Sequence, residues 1–194
     1  MNFLAHLYLS GNDRDIMFGN FIADYVKGKS YTRYNQKIQQ GILLHRKIDE
    51  FTDKHAITKD LASLLKDRYK RHSGIVIDIF YDHFLSVNWS RYSNIPLEQF
   101  ISSCHRLLLK NLWLLPSTIK GFLPVLIARK RLMSYSSLSG IENALHTMSK
   151  YTSLPDESTF ALKILNENFS LMNEKFLIFF ADLIEMVNQE LQDC

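Results

Sequence analysis

Seven side chains in the first half of the chain have the types and spacing of a divided metal site: His6, Asp24, His45, Asp49, Asp78, Asp82 and His83. Four of them form two pairs. His45 and Asp49, in H-R-K-I-D, stand four residues apart, and so do Asp78 and Asp82, in D-I-F-Y-D-H. Residues four apart share one face of a helix. Each pair sits in an apolar frame, where an unpaired charge is costly. Two carboxylates on one face of such a helix also repel each other unless a cation or a proton intervenes. A metal ion held between the two helices would account for both pairs. The chemistry it would bring is metal-assisted hydrolysis, above all of a phosphate ester.

The other three residues each admit more than one reading. His83 lies about 100° round the helix from Asp82. It is a ligand or acid–base group, a partner of a ligand, or a packing histidine. His6 and Asp24 are single polar residues in apolar segments. Alone they read as a satisfied core histidine and a helix-end acceptor; they join the site only if the fold brings them to it. Arg46 and Lys47, between His45 and Asp49, are suited to holding phosphate oxygens. A donor set of oxygen and nitrogen without thiolate favours Mn²⁺, Mg²⁺, Fe²⁺ or Zn²⁺, and its carboxylate content leans towards Mn²⁺ or Mg²⁺. The chain carries no Walker loop, no GxGxxG and no GxSxG, which argues against NTPase, dinucleotide and serine-hydrolase chemistry.

Helices must position these groups. The chain has 194 residues, 46% hydrophobic and 22% charged, with only 7 Gly and 4 Pro. That is a globular composition with few turn formers. We expect one all-α domain over residues 1–194, a helical bundle with its site between helices. Apolar periodicity predicts helices over residues 2–9, 12–27, 34–53, 58–71, 75–89, 97–112, 119–132 and 141–150, and one long helix over 158–192. Gly19 would allow close approach of the second to a neighbour. No strand or hairpin signal appears.

Net charge is +3, but the cations cluster: Lys27, Lys29, Arg33 and Lys37; Lys66, Arg68, Lys70 and Arg71; Arg129, Lys130 and Arg131. They read as solvated faces or as surfaces for an acidic partner or phosphate. The aromatic residues fall at core spacing, not as a stacking platform, so no nucleic-acid partner is expected. Cys104 and Cys194 form no CxxC pair or disulfide framework. The apolar opening lacks a basic flank, and no stretch of about 20 apolar residues is free of charge. A cytoplasmic protein with no membrane span is the expectation.

Four blocks, in this order, resemble one family: M-N-F-L-A-H-L, G-N-F-I-A-D-Y-V-K-G, G-I-L-L-H-R-K-I-D-E-F-T-D and D-I-F-Y-D-H-F-L-S-V-N-W. They are similar to the acyl-carrier-protein phosphodiesterases over residues 1–92, and more thinly later, as in R-L-M-S-Y-S-S-L-S-G-I-E-N-A-L. The family is related to the helical HD-type metal-dependent phosphohydrolases; here the adjacent pair reads Asp82-His83, the reverse of the usual order. The resemblance implies hydrolysis of holo-acyl carrier protein by metal-activated water, releasing 4′-phosphopantetheine and leaving a free serine. It also implies a divalent cation, Mn²⁺ first, with Mg²⁺ or Fe²⁺ as alternatives. Asp24, His45, Asp49, Asp78 and Asp82 are then the candidate ligands, and His6 or His83 a ligand or acid–base group. Arg46 or Lys47 would neutralise charge on phosphate oxygens. The implied substrate is a small acidic protein, which the basic clusters would steer. Two other readings stand beside this one: a phosphohydrolase of similar fold acting on a nucleotide or other small phosphodiester, and a helical module that binds acyl carrier protein without hydrolysis.

Overall fold

The computed structural model describes residues 1–128 and 131–192. Arg129 and Lys130, from one of the basic runs, and Cys194 lie outside the described residues. No β-strand occurs among the described residues, in keeping with the all-α expectation.

Four helices frame the candidate site. Helix α1 (Phe3–Leu9) begins after Asn2, whose side chain accepts the Phe3 amide at 2.9 Å. Helix α2 (Arg14–Ile22) is capped by Asp13, which accepts the amides of Asp15 and Ile16. It stops short of residue 27: the chain tightens into a 3₁₀ turn over Ala23–Tyr25 and becomes extended at Val26. Helix α3 (Gln36–Lys54) starts behind Asn35, whose Oδ1 accepts the Ile38 amide. The stretch predicted as one helix over 58–71 is α4 (Ala56–Ser63) followed by the short α5 (Lys66–Tyr69). Helix α6 (Ser73–Val87) carries Asp78, Asp82 and His83.

The rest of the chain forms α7 (Trp89–Tyr92), α8 (Leu97–Lys110), α9 (Ser117–Ala128), α10 (Arg131–Ser134), α11 (Leu138–Tyr151), α12 (Ser158–Glu167) and α13 (Phe169–Gln192). The final helix, predicted as continuous, is broken at Asn168. There the side-chain amide donates to the Ile164 carbonyl at 2.9 Å, while the Asn168 carbonyl accepts the Met172 amide. One residue thus closes α12 and opens α13, as an amide side chain can when it competes with the helix backbone.

Helix α6 is buried along most of its length. Helix α13 packs against α3, α4 and α6, with Phe176, Phe179 and Phe180 fully enclosed. Each such ring contributes roughly 1.5–3 kcal/mol through burial. Tyr81 of α6 stacks on Phe179 at 4.5 Å, and its hydroxyl shares a 3.1 Å hydrogen bond with Thr58 of α4.

Helix α2 packs closely along α3, and two glycines make that approach possible. A Cβ at Gly19 would lie 2.1 Å from the Ile38 carbonyl oxygen, and one at Gly41 would lie 2.1 Å from the Ile16 oxygen. With no side chain between them, the two backbones touch. That contact brings Asn20 and the turn after α2 against the middle of α3.

Candidate metal centre

Three side chains converge where α1 meets α3. His6 Nε2 lies 3.1 Å from Asp49 Oδ1, and His45 Nε2 lies 3.1 Å from Asp49 Oδ2. The two imidazoles stack, with ring centres 3.9 Å apart and planes 17° from parallel. Donor atoms of His6, His45 and Asp49 all fall within 4.8 Å of one another, so these three could hold a metal ion. Asp24, on the 3₁₀ turn, stands beside this group: its Oδ1 lies 3.1 Å from His45 Nε2. Both histidines are buried, whereas the Asp24 carboxylate is mostly exposed and that of Asp49 about one-third exposed. The cluster is therefore a buried nitrogen floor beneath an open carboxylate rim.

Asn20 fixes the histidines. His45 Nδ1 lies 2.9 Å from the Asn20 carbonyl and 3.1 Å from its Oδ1. A carbonyl only accepts, so Nδ1 carries the proton and Nε2 is directed at the carboxylates. The Asn20 side-chain nitrogen donates to the His6 carbonyl and to Ser10 Oγ, each at 3.0 Å, and Ser10 Oγ donates to the same His6 carbonyl at 2.8 Å. Asn20 is fully buried. Sequence reading passed over it, although an amide in the apolar run F-G-N-F-I-A-D, four residues before Asp24, is itself a signal.

The electrostatics suit a cation. Burial alone would lower the His45 pKa, but hydrogen bonds to Asp24 and Asp49 outweigh it and hold the imidazole at about 9. Burial and the neighbouring His45 charge lower His6 to about 4, against the pull of Asp49. Burial pushes Asp49 upward, yet its bonds to His45 and His6 keep it well below the usual carboxylate range. Asp24 is lowered by its bond to His45, against burial. A charged imidazole thus sits among carboxylates, a setting that favours positive charge.

The two acids of α6 have different surroundings. Asp78, partly exposed, lies 3.1 Å from the Met1 α-amino nitrogen, which also lies 3.3 Å from Asp49. Asp82 is fully buried, and its two oxygens accept the amides of Leu4 at 2.9 Å and Ala5 at 3.1 Å. These are free N–H groups of the first turn of α1. Burial lifts the Asp82 carboxyl to about 7, although both amides favour its charged form. His83 is turned elsewhere: its Nδ1 donates to the Tyr135 carbonyl at 2.8 Å and its ring lies against Phe84 and Phe169. Arg46 donates to the carbonyls of Val26 and Gly28 at 3.0 and 2.9 Å. Lys47 pairs with Glu190 of α13.

Comparison with known proteins identifies the family. The model of the acyl carrier protein phosphodiesterase family matches residues 1–183. The chain belongs to that family. Among its relatives is the acyl carrier protein phosphodiesterase of Salmonella paratyphi A, 29% identical over 185 residues, which cover 95% of this chain and 96% of the relative. The protein of the same name from Yersinia enterocolitica is 33% identical over 150 residues, 77% of this chain and 78% of the relative. That from Photorhabdus laumondii is 32% identical over 151 residues, 77% and 76%. The match extends well beyond the blocks in residues 1–92. No solved structure matches the chain. Among the described residues no helix is long and apolar enough to cross a membrane.

Proposed function

We propose that this chain hydrolyses the phosphodiester joining 4′-phosphopantetheine to the serine of acyl carrier protein, with His6, His45 and Asp49 as the core of a divalent-cation site. The observation that carries the reading is the meeting of two buried imidazoles and a carboxylate from α1 and α3 in a chain of this family. Asp24, whose Oδ1 lies 3.1 Å from the same His45 Nε2, would add a second carboxylate. Two imidazoles with one or two carboxylates suit a divalent first-row ion; the family resemblance puts Mn²⁺ first, with Mg²⁺ or Fe²⁺ after it. When bound, the cation supplies Lewis-acid polarisation of a phosphoryl oxygen and lowers the pKa of a coordinated water.

The chain's own residues do the rest. Asn20 holds His45 in the tautomer that leaves Nε2 for the cation. Asp82 grips the first turn of α1 and so sets the height of His6. Asp78, beside Asp49 at the rim and ion-paired with the Met1 α-amino group, is a further candidate ligand. His83, bound to Tyr135, and Arg46, bound to backbone carbonyls, are better suited to holding structure than to touching phosphate. The test is substitution: His45→Ala and Asp49→Ala should each abolish turnover of holo-acyl carrier protein while the helical circular-dichroism spectrum survives. Full activity in either would remove the cluster from the reaction. Turnover of free phosphodiesters that equals turnover of the carrier protein would instead favour a small-substrate phosphohydrolase.

A further inference from the structure

Between Asp24 and Asp49 the chain runs for 24 residues without an acid and with six cations: Lys27, Lys29, Arg33, Lys37, Arg46 and Lys47. Two of these are paired off, Lys37 with Asp13 and Lys47 with Glu190. Lys27 and Lys29 are exposed and take part in no ion pair among the described residues. They stand on a loop that begins directly after the turn bearing Asp24.

That loop is built. Val26 and Tyr34, at its two ends, are buried. A 3₁₀ turn over Ser30–Arg33 stiffens its second half. Gly28 takes a left-handed backbone conformation, φ +56°, which a side chain would strain. The guanidinium of Arg46 reaches from α3, donates to the carbonyls of Val26 and Gly28, and lies over the Tyr31 ring at 5.3 Å. One nitrogen, Nη2, donates to both carbonyls while the flat guanidinium lies over the ring, a stacked arrangement that a lysine ammonium does not reproduce. The residue beside His45 therefore fixes the residues on either side of Lys27.

We propose that the loop from Val26 to Tyr34 is a docking lip for the protein part of the substrate. Lys27 and Lys29 meet carboxylates on its surface, and Arg46 is the positioning residue that holds the lip beside Asp24. The proposal rests on the function proposed above. There the scissile bond joins the prosthetic group to a serine, so the carrier protein itself must reach the rim of the cluster. The rim carries Asp24, Asp49 and Asp78 and would repel an acidic surface unless cations stood next to it. The lip supplies them in the segment that joins two of the candidate ligands. Charges of this kind govern encounter and orientation more than the chemical step.

The experiment is steady-state kinetics of the metal-loaded enzyme on holo-acyl carrier protein, with bis(p-nitrophenyl) phosphate as a substrate that lacks the protein. In the double variant Lys27→Glu/Lys29→Glu, KM for the carrier protein should rise about tenfold or more, the scale of a loss near 1.4 kcal/mol, with kcat little altered. The salt dependence of kcat/KM should weaken with it. Arg46→Ala should show the same split, and Arg46→Lys should not rescue it. An unchanged carrier-protein KM in the double variant would overturn the lip. So would an equal loss on the small ester, because it would put the lysines on the phosphate. If the wild-type enzyme fails to turn over the carrier protein at all but cleaves the small ester, the parent reading falls and the lip falls with it.

Discussion

Asn20 binds the carbonyl of one candidate ligand and the ring of the other. Groups that orient a ligand in this way are commonly worth about 10–100-fold in metal affinity or activity. Asn20→Ala should therefore cost about 10–100-fold in kcat/KM on holo-acyl carrier protein without loss of helical signal; wild-type kinetics would show that His45 needs no such orienter. His45 also carries a pH signature. Its folded value of about 9 exceeds the ordinary 6.5, because the bonds to Asp24 and Asp49 outweigh burial. The stabilising contribution is then complete below pH 6.5 and is lost as pH rises through about 9. In chelator, the midpoint of thermal unfolding should fall across that window in the wild type and fall less in His45→Gln. Parallel profiles for the two proteins would contradict the bonding seen here. Much of this cluster can be read from residue types. The four-residue spacing of His45 and Asp49 exposes their shared face. What one sequence conceals is which acid is spent on backbone: Asp78 and Asp82 have the same spacing, yet Asp82 closes the start of a helix 78 residues away.

Helix contacts decide how those side chains meet. At Gly41 a Cβ would meet backbone at 2.1 Å, and backbone cannot rotate aside as a side chain can. Gly41→Ala should separate α2 from α3 and destabilise the protein by about 1–3 kcal/mol, the usual cost of overpacking, with activity falling further than stability alone explains. A thermal midpoint equal to wild type would refute the close approach. Asp82→Asn replaces one acceptor oxygen by a donor, so one of the amides of Leu4 and Ala5 loses its partner. Denaturant unfolding should register a loss of about 1–3 kcal/mol, the cost of one unsatisfied buried group. Apolar periodicity reveals most helices because burial sets it. It does not reveal their ends, as the break at Asn168 shows: Phe169, Met172 and Phe176 continue the apolar stripe past a residue whose amide has turned back on the helix. Nor does it reveal that the turn after Ile22 presents Asp24 to His45, since that depends on two glycines 22 residues apart.

The molecule places a buried imidazole pair under an acidic rim and sets an acid-free cationic lip beside it, all within the first half of the chain. The second half, above all α13, covers α6 and supplies the aromatic core that keeps this half in place. Site chemistry and packing are thus separated along the sequence, and the family match spans both, to residue 183. The central claim, cation-dependent release of the prosthetic group, is tested most directly by intact-mass measurement. Holo-acyl carrier protein would be incubated with the purified protein and either Mn²⁺ or chelator. Loss of the phosphopantetheine mass with Mn²⁺ and its retention in chelator are the expected results. An unchanged carrier-protein mass with folded, Mn²⁺-loaded protein, or equal loss in chelator, would contradict the claim.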